Sequence, residues 1–357
     1  MNTIQNEVKN KITSYNSIMF IQWHLTDLCE EKCSHCYLTE RKGDLSVSEN
    51  KKIIDKLVIQ SKCIGKPLFI AFTGGDPLLY SGIFELINYC SEKGVFVTIK
   101  GNPHCLITKS ENIDKLKEAK VLSYQLSLDG TQATHDSIRS QGNYDRTLLA
   151  LKKLVDNGIT TVVKMTVSNE NVNQLTDVMQ IVDDIGVDFI GISRMVCIGG
   201  AQTNHCALNM DTWQRTMQIY DTEPLRHTMK IFYDPLWIPY FIETKKISFN
   251  EILEFVPRQA SAGIIEGCTI WEDSYSLHPN GDVYACSRIP DSWLGNLRNS
   301  TFENIENRIA EYREVDKLAC IPCRYVQLCR GCRAVAKAMT GDYYGLDYCC
   351  WINQNNK

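Results

Sequence analysis

Short apolar runs rich in β-branched residues recur through the first half of the chain, at 19–24, 68–73, 95–99, 121–128, 160–167 and 187–193. Between them apolar residues return at helical spacing and predict helices over Val47–Gln60, Ile83–Glu92, Arg146–Asn157 and Val172–Ile185. Strands alternating with helices imply βαβ units and a parallel sheet. From about residue 225 the pattern changes. Pro224, Pro235, Pro239 and Pro257 interrupt an aromatic-rich stretch, which reads as a connector packed on the sheet, or as a substrate wall. Residues 275–286 then read as a β-hairpin turning at Asn280-Gly281. Thr301–Tyr312 and Arg333–Met339 read as short helices.

Cysteines are placed pointedly on this pattern. Cys29, Cys33 and Cys36 stand at C-x3-C-x2-C just after the first apolar run. Three thiolates this close can hold three irons of a 4Fe–4S cube and leave the fourth open to a small chelating molecule. The same spacing is also one face of a helix, so three packed core cysteines, or a zinc site, are the competing readings. Two further motifs follow strands: Thr73-Gly74-Gly75-Asp76-Pro77, and Ser127-Leu128-Asp129-Gly130 with His135-Asp136-Ser137-Ile138-Arg139 behind it. All three lie at the C-terminal ends of strands, the rim where parallel sheets place their sites.

The strand–Cys-x3-Cys-x2-Cys-Tyr–helix order resembles the cluster loop of the radical S-adenosylmethionine enzymes. Gly74-Gly75-Asp76-Pro77 is similar to that family's Gly-Gly-Glu-Pro segment, with Asp76 in place of Glu. The Ser-Leu-Asp-Gly…His-Asp-x-x-Arg run resembles its fourth-strand end. The resemblance implies a cluster on Cys29, Cys33 and Cys36. It implies cofactor contacts from Tyr37, Gly74, Gly75, Asp76, Ser127, Arg139 and Arg194, the last closing a late strand. It also implies that reductive cleavage of S-adenosylmethionine yields a 5′-deoxyadenosyl radical. The implied fold is α/β: a partial (β/α)6 barrel with a small C-terminal α+β, cysteine-rich extension of the SPASM type.

The second half supports that extension. Cys320-x2-Cys323-x5-Cys329-x2-Cys332 is followed by Cys349-Cys350, and Cys268 and Cys286 flank Gly281. The array resembles the SPASM domain and its two auxiliary clusters, although the family's C-x3-C is C-x2-C here. By that resemblance one cluster takes Cys268, Cys286 and Cys332, and the other takes Cys320, Cys323, Cys329 and either Cys349 or Cys350. The first set is one thiolate short, because residues 255–267 hold no cysteine. An open iron, a ligand such as Glu266, or the spare member of the 349/350 pair would complete it. Paired C-x2-C motifs also suit zinc. The expected organisation is an N-terminal arm (1–18), a radical barrel (19–224), a connector (225–264) and the auxiliary domain (265–357).

Composition narrows the partners. The chain has 357 residues, a formal charge of −4 and 16 cysteines. The charge gives no reason to expect nucleic acid or an anionic membrane. No apolar run is long enough to span a bilayer. Many cysteines without a signal peptide point to thiols serving metals in the reducing cytoplasm. Expected partners are a precursor peptide or small-molecule substrate and an electron donor such as a flavodoxin or ferredoxin. A separate peptide-recognition protein is also expected, because only about 18 residues precede the first strand, too few for a leader-binding domain. The expected reaction modifies a ribosomally made peptide; action on a small molecule or tetrapyrrole is the alternative, and an iron–sulfur or zinc scaffold the non-enzymatic one. Cys63, Cys90, Cys105, Cys197 and Cys206 fall outside the cluster sets. Of these, Cys105 and Cys197 follow strands and are candidates to return a hydrogen atom to a substrate radical.

Overall fold

Alternating apolar runs and amphipathic helices condense into one sheet. The computed structural model describes residues 18–38, 40–203, 207–248 and 268–352. The strands are β1 (Met19–Thr26), β2 (Leu68–Gly74), β3 (Phe96–Lys100), β4 (Ser123–Ser127), β5 (Thr161–Val167), β6 (Phe189–Arg194) and β7 (Met229–Phe232), then β8 (Ser274–Leu277), β9 (Asp282–Tyr284) and β10 (Trp293–Asn296). Their order is β10-β9-β8-β1-β2-β3-β4-β5-β6-β7. β1 to β7 pair in parallel, each with the next.

The expected parallel sheet is thus present, open rather than closed into a barrel, and it has more strands than the six read from the sequence. The seventh, β7, lies inside the stretch expected to be a connector. Only four residues long and flanked by Pro224 and Pro235, it carries too little periodicity to stand out. The helix Trp237–Lys245 follows it, and the remainder of that stretch from residue 249 lies outside the described residues. So does the N-terminal arm apart from Ile18.

The C-terminal hairpin forms as expected. His278 N–H bonds Asp282 O at 2.8 Å, and Gly281 takes the left-handed conformation (φ 88°) that the tight turn requires. It does not stand apart from the parallel sheet. β8 runs parallel beside β1, with Phe20 opposite Ser274 and Trp23 opposite Leu277. The cysteine-rich region therefore continues the same sheet, and its first strand abuts the strand that leads into Cys29.

Helices cover the outer face. Val47–Cys63 begins at a capping box, Ser46 with Glu49, and buries Ile53, Ile54 and Leu57. Trp23, Trp213 and Trp237 are fully buried in the core. The inner face alternates the other way. Gln22, Lys100, Gln125, Ser127, Lys164, Thr166 and Ser193 line a cavity of about 500 Å³. A polar, roomy interior at the rim of a parallel sheet is a place for chemistry, not for packing.

Candidate functional site

The loop after β1 carries Cys29, Cys33 and Cys36 to the cavity wall. Backbone contacts fasten it on several sides. Asp76 N–H bonds Leu28 O at 2.7 Å, Gly75 N–H bonds Thr26 O at 2.8 Å, Ser34 N–H bonds Ile138 O at 2.8 Å and Gly200 N–H bonds Cys36 O at 2.9 Å. The paired glycines make this closeness possible. A Cβ on Gly75 would stand 1.9 Å from Leu28 O, and Gly74 has φ 131°, where a Cβ would stand 2.4 Å from Thr26 O. Two donors reach the sulfurs: Asn102 Nδ2 to Cys29 at 3.3 Å, and Arg139 to Cys33 at 3.8 Å. Burial pushes the Cys29 thiol up to about 11 and raises Cys33, so both are poor thiolates until a cation replaces the proton. Three free thiols, two donors and a glycine cradle on one cavity fit a 4Fe–4S cluster with an open iron.

The Ser-Leu-Asp-Gly…Arg run divides its labour. Ser127 and Arg139 line the cavity. Asp129 does not. It is fully buried and takes two contacts from Arg139 at 2.7 Å, with Thr166 N–H at 2.8 Å. Although burial pushes Asp129 up, Arg139 holds its carboxyl below the ordinary range. His135 accepts from Asp129 N–H at 2.9 Å and meets Asn143 Oδ1 at 2.7 Å, and Asn143 reaches Glu31 in the cysteine loop at 2.6 Å. These two residues orient Arg139 and the loop.

Other expected residues stand differently. Tyr37 lines the cavity, edge-on to His24. Gly74 and Gly75 line it as well, but Asp76 is fully buried behind them. Its shorter side chain turns back to accept Leu78 N–H at 3.1 Å, so a cofactor contact from this segment would come from the backbone. Burial and then the Glu30 charge push Asp76 up to about 8. Cys105, a candidate hydrogen donor, is 1% exposed and joins buried Asp76 and half-buried Glu30 in a trio whose ligand atoms lie within 4.8 Å of one another. Cys197 is half-buried; Val196 and Ile198 line the cavity, and Cys197 does not. The geometry brings neither thiol to the mouth of the cavity. Arg194 lines the cavity, but four contacts at 2.7–3.1 Å tie its guanidinium to Asp234 and Asp347. It is spent on that lock, so an expected role at the cofactor carboxylate has few N–H groups left to perform it.

Sequence reading missed Asn102, Lys100, Lys164 and Arg288. The lysines left a signal, a charge at an inward position of an otherwise apolar run. Arg288 follows Cys286 in a loop and left none.

The C-terminal cysteines fall into two groups. Cys268, Cys286 and Cys332 are near enough for their charges to act on one another. Cys329 feels Cys350 and Cys320, and Cys320 feels Cys323. Cys349 instead points to Leu208 O at 3.3 Å and to Arg194. Asp347 anchors both groups: its carboxylate accepts Cys332 N–H at 2.9 Å and its backbone carbonyl accepts Cys350 N–H at 2.9 Å. None of the 15 described cysteines is in a disulfide, as metal donors must not be. Cys206 and Glu266 lie outside the described residues.

Comparison with known proteins agrees with this geometry. Residues 23–182 match the radical SAM superfamily, and residues 268–333 match the SPASM iron–sulfur cluster-binding domain. The chain is 28% identical to an AdoMet-dependent heme synthase of Methanosarcina barkeri, covering 93% of this chain and 96% of that one. It is 27% identical to the mycofactocin maturase MftC of Mycolicibacterium smegmatis, covering 90% and 79%. Its fold resembles that of Streptococcus suis SuiB bound to S-adenosylmethionine, with a TM-score of 0.71, 16% identity, and 98% and 82% of the two chains covered. With its cysteine loop, glycine cradle and C-terminal thiol groups accounted for, the chain belongs to the radical S-adenosylmethionine enzymes that carry a SPASM domain.

Proposed function

We propose that this enzyme abstracts hydrogen from a ribosomally made peptide bound in the cavity above the sheet. The observation that carries the reading is the convergence on one cavity of Cys29, Cys33 and Cys36 with Gly74, Gly75, Ser127 and Arg139. Bound there, a 4Fe–4S cluster and S-adenosylmethionine supply one-electron cleavage and hydrogen abstraction. The chain's own residues do the rest. The three thiols hold the cluster, and Asn102 and Arg139 temper its charge. The glycines let the β2 backbone approach the cofactor, and Ser127 and Arg139 are placed to hold its polar groups. Cys268, Cys286 and Cys332 would hold one auxiliary cluster, and Cys320, Cys323, Cys329 and Cys350 the other.

A peptide is favoured by the likeness to MftC and by the fold shared with SuiB, which is known in complex with its precursor peptide SuiA. A tetrapyrrole is the second reading, favoured by the end-to-end likeness to the heme synthase. The test is anaerobic turnover with S-adenosylmethionine and dithionite. One arm supplies short peptides encoded beside the gene, and the other iron coproporphyrin. A mass change in a peptide, with 5′-deoxyadenosine formed, supports the first reading; change only in the porphyrin replaces it with the second.

A further inference from the structure

Cations dominate the inner wall of the cavity, and some of them have no evident partner. Arg139 and Arg194 are matched by Asp129 and by Asp234 with Asp347. Lys100 and Lys164 are different. They stand on β3 and β5, either side of β4, where Lys100 pairs in register with Gln125 and Lys164 with Ser127. Both face the cavity. Among the described residues neither makes an ion pair. Each ammonium lies instead over an aromatic ring, Lys100 5.5 Å from the centre of Phe20 and Lys164 4.8 Å from that of Tyr233. A ring face attracts a cation without neutralising it. The Tyr233 platform is built in: a Cβ on Gly191 would stand 2.3 Å from that ring, so the glycine leaves the ring its place. Arg288 closes the same wall from the C-terminal region.

Half-buried ammoniums without an ion-pair partner cost stability, and a ligand would offset that cost. The C-terminal thiols have a cation of their own, since the charges of Cys286 and Cys332 act on Arg288. A phosphate is a poor fit. Lys100 and Lys164 stand on strands whose N–H groups are engaged in the sheet and are not free to cradle a concentrated dianion. Separate single charges on neighbouring strands suit carboxylates. We propose that Lys100 and Lys164, with Arg288 opposite, clamp a carboxylate of the substrate and so select an acid-bearing substrate for the radical reaction. This inference rests on the radical reading of the cavity and specifies its substrate: a peptide carboxylate or a porphyrin propionate would supply the same chemistry.

The test begins with the fully loaded wild-type enzyme. Burial and neighbouring cations hold Lys164 down to about 7 and Lys100 down to about 8, so both amines are nucleophilic near neutral pH. A bound carboxylate favours the ammonium form and suppresses that reactivity. Trinitrobenzenesulfonate labelling, read by peptide mass spectrometry, should fall at least fivefold at both lysines with glutarate and stay unchanged with neutral glutaramide. Equal labelling with the two probes overturns the clamp. A second readout is deuterium transferred into 5′-deoxyadenosine from perdeuterated glutarate against perdeuterated glutaramide. Wild type should prefer glutarate by tenfold or more, Lys100→Met and Lys164→Met should lose the preference, and Lys164→Arg should keep it. A preference that survives in both methionine variants, or no transfer from glutarate, overturns the proposal. Total 5′-deoxyadenosine in the same samples reports the radical reaction itself, so failure of the clamp and failure of the radical reading are told apart. Coproporphyrin III and a pentaalanine with a free C-terminus, added as competitors, identify the source of the carboxylate; if neither lowers the transfer, the clamp is rejected.

Discussion

The two cysteine regions hold their thiols by different means. The first loop hangs from the rim of a parallel sheet, and its backbone is bonded to β1, β2, the Ile138 carbonyl and Gly200. Its thiols are partly open, with Cys29 exposed. The C-terminal cysteines from Cys320 onward sit on turns, with Arg333–Thr340 the one α-helix among the described residues there, and Cys320, Cys329, Cys349 and Cys350 are buried. The first site is held by backbone bonds to its neighbours. The second is ordered by its own turn hydrogen bonds, by buried side chains such as Tyr325, Val326, Tyr343 and Trp351, and by Asp347; metal binding to its buried thiols would add to that order.

The largest test breaks the first site alone. Replacing Cys29, Cys33 and Cys36 together by Ala should remove close to one of about three 4Fe–4S clusters and abolish 5′-deoxyadenosine formation. Thermal stability should change little, because the loop's backbone bonds remain. Full S-adenosylmethionine cleavage by the triple variant would refute the site.

The matching test on the other side separates two neighbours. Cys350 lies with Cys329, whereas Cys349 faces Leu208 O. Cys350→Ser should therefore damage one auxiliary cluster, seen as lost iron and an altered paramagnetic resonance spectrum, and lower the melting temperature. Cys349→Ser should leave the iron content near wild type. The reverse result would exchange their roles and bring Cys349 into the ligand set.

Arg194 probes the join between the regions. It sits at the end of β6, and Asp347 beyond it holds the backbone of Cys332 and Cys349. Arg194→Met leaves Asp234 and Asp347 buried without their cation and should cost about 3–5 kcal/mol. The exposed Lys152, paired with Asp156 on the surface, should cost about 0–1 kcal/mol when changed to Met. Denaturant titration of the loaded proteins measures both, and similar losses would deny the lock its importance.

Much of this was legible in the chain. The parallel sheet, the cysteine loop and the hairpin each have a local signature: periodicity, spacing and Asn280-Gly281. What was hidden depends on contacts distant in sequence. β7 is short and acquires its strand character by pairing with β6. Asp76 looked like a cofactor contact because the motif fixes its position, but not the direction of its side chain. Arg194 looked available because its partners are 40 and 153 residues away. Lys164 could have been noticed, since a charge inside Thr161–Val167 breaks the apolar run on the inward face.

The smallest effect is expected at the seam where β1 meets β8. His24 and His278 stack there with centroids 4.9 Å apart, and Tyr284 lies 4.5 Å beyond His278. Burial, then the Lys42 charge, lowers His278 from 6.5 to about 4. A histidine with a depressed folded value contributes stability above its unfolded pKa and loses it as pH falls toward the folded one. The window here runs from about 6.5 down to about 4. Linkage assigns His278 roughly 1 kcal/mol of lost stability between about pH 7.5 and 5.5, a range chosen to spare the clusters. His278→Phe keeps a ring between His24 and Tyr284 and removes the titration. Its melting temperature should therefore fall less than that of wild type over that range, by about 1–2 °C. Parallel pH curves for the two proteins would show that the seam's titration lies elsewhere, with His24 the remaining candidate.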